Sequence, residues 1–293
     1  MAASDIKVLV SIKPFHSLVS AIMQDVSEPL LLINGNNSPH SYALRPSSAE
    51  NLQQADLVFW GGEILEGFLT KPLQSLASRA KLVSLQETAG LRLLPLRSGI
   101  GWQKHETDSA NDHSAEDETT STSGTDPHIW LDPYNAKIIS SKIVEILTEM
   151  DPQNAQSYRR NGEKYGLRLE LLDRKLKAEM TKVAETPYMV FHDAYQYFEK
   201  RYQLNVVGSM TLHIGFGSSV RRLTAVRKTI QKEKIRCIFS EPQFSPKLLQ
   251  TVIAGTNVKQ GTLDPLGAGL ESGAELYFTL LNNLSHNLSS CLN

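Results

Sequence analysis

The chain lacks several things that would have pointed elsewhere. Its longest apolar runs fall well short of the roughly 18–20 residues that span a bilayer as a helix, so no membrane span is expected. It has no long basic stripe, and its formal net charge is −1. Nucleic-acid binding needs a clustered positive surface, so that class is set aside. No secretory leader is visible. The start, "MAASDIKVLVSI", goes almost directly into a strand-like run. A cytoplasmic protein fits that start, and so does a mature exported protein whose leader has been replaced. No fixed-period repeat is present.

Cysteine is scarce too. The two in 293 residues are Cys237 and Cys291. Two unrelated buried thiols would explain them. One disulfide tying a C-terminal segment to its own lobe would do so equally. Such a bond would close a loop of about 54 residues and contribute about 4 kcal/mol. It would also imply an oxidising compartment.

What is present is ordinary for a globular protein: 41% apolar and 21% charged residues. The length suggests two lobes. Short continuous apolar runs at 7–12, 29–33, 56–60 and 81–85 suit strands buried on both faces of a parallel sheet. Helical spacing fills the gaps, as in Phe15, Leu18, Val19 and Ile22. The rhythm breaks at 103–125, a stretch rich in Ser, Thr, Asp and Glu that reads as a mobile acidic loop. A helix over 133–149 follows. Residues 152–183 then read as one long helix with Leu172, Leu176, Met180 and Val183 on a stripe. Its 32 residues would span about 48 Å, which suits a rigid beam between lobes. Alternation resumes with strands at 188–191, 205–207, 236–239 and 257–260 and a last helix near 271–289. The expected fold is therefore α/β. An N-terminal β/α lobe (1–151), a linker helix (152–183) and a C-terminal β/α lobe (184–293) are each parallel-rich sheet or rigid helix, with any site in the interlobe cleft.

In such lobes ligands collect at the loops after strand C-termini. Those loops and their equivalents carry His40, His128, His192 and Asp264, two from each lobe. His128 alone, in "TDPHIWLDPYNAK", could be a buried structural imidazole, a base or a metal ligand. Three neutral imidazoles and one carboxylate together make a good tetrahedral zinc set. His105 and His113 stand in the acidic loop, either as part of a solvated linker or as a weak accessory metal-capturing site. His213, in "TLHIGFGSS", is a further accessory candidate near the cleft. His16 reads as a local hydrogen-bonder and His286 as a surface residue. Glu241, in "SEPQF", is the nearest candidate base for a zinc hydrolase, or else structural support for the cleft.

The segments "SPHSYALRPS", "DPHIWLDP", "FHDAYQYFEKRYQL", "SEPQF" and "GTLDPLG" resemble, in this order and over essentially the whole chain, the zinc-specific solute-binding proteins of bacterial ABC importers. These form the ZnuA-like branch of the cluster A-I (cluster 9) metal receptors. The resemblance implies a monomeric, non-enzymatic periplasmic receptor that carries Zn2+ to an inner-membrane ABC permease. It implies His40, His128 and His192 as ligands, with Asp264 where the family's C-lobe carboxylate lies. It also implies a C-lobe disulfide matching Cys237 and Cys291. The manganese branch would carry Glu where His192 stands, which favours zinc over a manganese or iron receptor. Two departures stand out. Pro39 replaces a glutamate that some relatives place before the first ligand, so Asp264 or a water must complete the shell. "TLHIGFGSS" lacks the proline of close relatives.

Overall fold

The computed structural model describes residues 6–35, 37–97, 124–210, 220–245 and 247–293. In the first half, strands β1 (Val8–Val10), β2 (Leu30–Leu31), β3 (Leu57–Trp60) and β4 (Lys81–Ser84) form a parallel sheet in the order β2-β1-β3-β4. The crossovers are helices α1 (Lys13–Ile22), α2 (Pro46–Gln54), α3 (Glu63–Glu66) and α4 (Thr70–Leu76). The central strands are short and apolar because both faces are covered: Val8, Leu9, Val10, Leu57, Val58 and Phe59 are all buried.

Helix α5 (Pro133–Met150) starts where Asp132 accepts the Tyr134 N–H at 2.8 Å and Pro133 presets the first turn. It buries Ile139, Ile143, Ile146 and Leu147 at helical spacing. Helix α6 (Ala155–Met180) packs against it. A Cβ on Gly162 of α6 would sit 2.5 Å from Val144, so the close crossing of the two helices requires glycine there. The long helix is shorter than the expected 152–183. Residues Pro152–Asn154 form a separate 3-10 turn, with Asp151 accepting hydrogen bonds from Asn154 and Tyr158 and holding the corner. At 26 residues α6 is about 39 Å long. The predicted stripe holds, since Leu172, Leu176, Met180 and Val183 are buried.

In the second half, β5 (Tyr188–Val190), β6 (Val206–Ser209), β7 (Cys237–Ser240) and β8 (Lys259–Thr262) form a second parallel sheet, ordered β6-β5-β7-β8. Helices α7 (Gln196–Tyr202), α8 (Val220–Lys232), α9 (Lys247–Ile253) and α10 (Leu276–Leu292) complete it. Alternation in β5 and β7 divides the core. Met189 and Ile238 join Val226, Ile230 and Leu249 in one cluster, whereas Tyr188, Val190, Cys237 and Phe239 join the main core. Strand β8 starts two residues later than the expected 257–260, because the Thr256 hydroxyl accepts the Val258 N–H and extends the turn after α9. Helix α10 is shifted likewise from 271–289.

The main core runs continuously from β1 through α5 and α6 to α10. Hydrogen bonds add to it. Ser17 of α1 donates to Ala274 O and accepts the Tyr277 N–H. The Tyr277 hydroxyl donates to Trp130 O, and the Trp130 indole donates to Pro265 O at 2.7 Å. Cys237 of β7 and Cys291 of α10 are joined by a disulfide, their Cα atoms 6.0 Å apart.

Candidate metal centre

His40 lies on a one-turn 3-10 helix (Pro39–Ser41) after β2, where the Ser38 hydroxyl accepts its N–H. His128 starts the turn that leads into α5. His192 follows β5 by two residues. Strand ends from both sheets thus face one another, as parallel β/α sheets arrange their ligand loops.

The three imidazoles converge. Each offers a ring nitrogen, and these nitrogens all lie within 4.8 Å of one another. Ring centroids are 5.3 Å apart for His40 and His128, 5.4 Å for His40 and His192, and 5.1 Å for His128 and His192. Nε2 of His40 stands 3.3 Å from Nε2 of His128. His128 and His192 are buried, and His40 is half-buried. Among the described residues this is the one group of three or more His, Cys, Asp or Glu side chains arranged to hold an ion.

Buried carboxylates stand behind two of the rings. Asp126 Oδ1 lies 2.8 Å from His128 Nδ1 and accepts the His128 backbone N–H at 2.9 Å. That fixes the proton on Nδ1 and turns the Nε2 lone pair toward the other imidazoles. Glu241 Oε1 lies 3.4 Å from His192 Nδ1, an ion-pair distance without hydrogen-bond geometry, and faces the far side of that ring. Burial alone would lower the His192 pKa, but Glu241, Asp193 and Asp126 more than offset this and raise it. Trp130, Phe244, Pro39, Pro265 and Leu266 wall the pocket. The result is a donor set of neutral nitrogens in an apolar enclosure, sized for a single ion. Borderline divalent metals suit those nitrogens.

Asp264 is not part of that group. Two residues beyond β8, it caps its own turn. Oδ1 accepts the N–H groups of Leu266 and Gly267 and the Gln243 amide, and Oδ2 accepts the Ala268 N–H at 2.6 Å. Gly267 sits at φ +67°, a left-handed conformation the turn needs. Lys13, reaching across from α1, donates to the carbonyls of Gly267, Ala268 and Leu270 and clamps the turn from the other side. Burial lowers the Lys13 pKa, against the pull of Asp264.

The His16 Nε2–H donates to Pro29 O and its Nδ1 accepts from the Ser20 hydroxyl, a local role as expected, and His286 is exposed. His105, His113 and His213 lie outside the described residues, as does the acidic stretch up to residue 123. Asp126 and Lys13 were not foreseen. A carboxylate two residues before a ligand histidine was the available signal for Asp126. Lys13 offered none, because its partners lie some 250 residues away.

Residues 8–291 match the family described as zinc-uptake complex component A, periplasmic, or ZnuA. The chain belongs to the ZnuA family. A ZnuA high-affinity zinc uptake system protein from Brucella abortus is 40% identical over 304 residues, covering 97% of this chain and 91% of that protein. A crystal structure of ZnuA shares the fold with a TM-score of 0.81 at 23% identity, covering 99% of this chain and 100% of that one. A ZnuA deletion mutant with zinc bound gives 0.80 at 23% identity, covering 99% of each chain. The two-lobe architecture expected from the alternation of strands and helices is the architecture of these ZnuA structures.

Proposed function

We propose that this ZnuA-family protein is a periplasmic receptor that binds Zn2+ with high affinity and hands it to the permease of an ABC importer in the inner membrane. The carrying observation is the trio His40, His128 and His192, with Asp126 fixing the tautomer of His128 and the buried Glu241 carboxylate standing beside His192. The ion is cargo, held by three Nε2 atoms. The capped position of Asp264 favours water in the fourth place, with the Asp264 turn shaping the pocket wall. Family membership and the zinc uptake named for its relatives support this reading. No helix among the described residues is long and apolar enough to cross a membrane, which fits a receptor that docks to a separate permease. The lobes at 1–151 and 184–293 would both touch that permease, as a monomer.

Helix α6 and the bonds from Lys13, Ser17 and Trp130 to residues 265–277 argue against wide hinge closure. Zinc entry then needs only local adjustment. A zinc hydrolase would need a free base beside an open metal position. Glu241 is instead turned to the far nitrogen of His192, which argues against that activity. The all-nitrogen set likewise favours zinc over manganese.

The test is a zinc competition titration with metal stoichiometry on the intact protein and on His128→Ala. One tight site that weakens strongly in the variant supports the reading. Undiminished tight binding in the variant would refute this ligand set.

A further inference from the structure

The chain on either side of residues 98–123 forms a short antiparallel ladder. Leu96 N–H donates to Gly124 O at 2.9 Å, Asp126 N–H donates to Leu94 O at 2.8 Å, and Pro95 pairs with Thr125. One arm of the ladder delivers Asp126, the residue that orients His128. The other arm delivers Arg97.

Arg97 crosses to the C-terminal lobe. Its Nε donates to Asp193 Oδ2 at 3.2 Å, and its Nη2 donates to Asp193 Oδ1 at 2.5 Å and to Glu199 Oε2 at 2.6 Å. The guanidinium is largely buried, with 16% of the side chain exposed, and the two carboxylates are 7% and 3% exposed. Asp193 is the residue directly after His192. Helix α7, which follows, grips the same ladder. The Tyr197 hydroxyl donates to Asp126 O and accepts the Leu94 N–H, while the Gln196 amide donates to Pro95 O.

The physical consequence is specific. Two buried carboxylates beside Asp126 repel one another unless a cation stands between them. A guanidinium does this with fixed direction, because its planar fork holds Asp193 at two points. Fixing Asp193 fixes the peptide from which His192 projects. Arg97 itself is not among the residues lining the imidazole pocket.

We infer that Arg97 is a positioning residue for the metal: through Asp193 it aims the His192 imidazole of one lobe at His128 of the other. The ladder that orients His128 through Asp126 thus also orients His192, and the two lobes are set in register at the site. This rests on the receptor reading above and adds a residue to it.

The experiment compares intact wild type, Arg97→Met and Arg97→Lys. Zinc affinity is read by competition with a chelator of known affinity, and imidazole orientation by 1H–15N correlation spectra of the histidine rings. Loss of a group that orients a metal ligand costs about 10–100-fold in affinity. Arg97→Met is expected to bind one zinc that much more weakly, and Arg97→Lys, which keeps the charge but not the fork, to fall between. The His192 ring signals should move while those of His16 and His286 stay. A purely structural role would lower stability and leave the folded fraction binding zinc as wild type does. That outcome overturns the inference, as does a folded Arg97→Met with wild-type affinity. Should Arg97→Met not fold, Arg97→Lys decides by the same two readings. Wild type without tight zinc binding would instead overturn the receptor reading itself.

Discussion

Glu66 closes α3 with its carboxyl fully buried. Oε2 accepts the Gly61 N–H at 2.7 Å. Phe15 and Leu65 crowd the same spot from the apolar side. Burial pushes the carboxyl from an ordinary 4.5 up to about 7, against the Ser11 hydroxyl and the amides of Gly61 and Gly62, which oppose the rise. The folded protein therefore keeps this proton over a range in which the unfolded chain has released it. Stability must fall as pH rises from about 4.5 to about 7, then level off. At about 1.4 kcal/mol per pH unit the full cost is about 3 kcal/mol, of which about 2–3 kcal/mol develops between pH 5 and pH 8. Glu66→Gln keeps an acceptor for Gly61 and cannot ionise. Guanidinium unfolding of both proteins at pH 5 and pH 8 measures the effect. The variant should gain about 2–3 kcal/mol on wild type between the two pH values. A gap that is equal at both would show that Glu66 is not held protonated in the fold, and the desolvation argument would be wrong.

Other outcomes follow from the same contacts. Asp126→Asn removes the charge that holds the His128 proton on Nδ1, so competition titration should show zinc binding about 10–100-fold weaker. Zinc affinity should fall as pH drops through the mid-6 range, because protons compete for the same nitrogens. The raised His192 pKa strengthens that ring's proton competition, and a flat affinity from pH 7.5 to pH 5 would exclude a three-imidazole site. Lys13→Met leaves the buried carbonyls of Gly267, Ala268 and Leu270 without their donor and should cost about 2–4 kcal/mol by denaturant unfolding. Replacing Cys237 and Cys291 by Ser should cost about 4 kcal/mol in the same assay. Deleting 103–123, which spares Gly124 and Thr125 of the ladder, should leave one tight zinc site by stoichiometry.

Much of this molecule was legible in the chain. Runs such as "VLV" and "LVFW" are too short for helices and too apolar for exposed strands, so parallel sheets under helices were the natural solution. The imidazoles were legible because each follows, or stands in place of, a strand end. With only two cysteines there was one possible bridge, but whether it formed depended on α10 lying against β7. Boundaries drifted where a side chain intervened, as Asp151 did before α6 and Thr256 before β8.

The sequence by itself determined the kinds of group available and their order: two β/α halves, three neutral nitrogen donors at comparable loop positions, and one carboxylate in "GTLDPLG". Only the tertiary structure decided which partner each group took. Asp264 is a free carboxylate on paper. In the fold the N–H groups of its own turn, the Gln243 amide and the Lys13 clamp behind that turn hold it. Glu241 and Arg97 carry no local signature of their tasks, because their partners come from distant segments. A side chain's polarity belongs to the residue, but hydrogen bonds and ion pairs go to whichever group packing brings within about 3 Å.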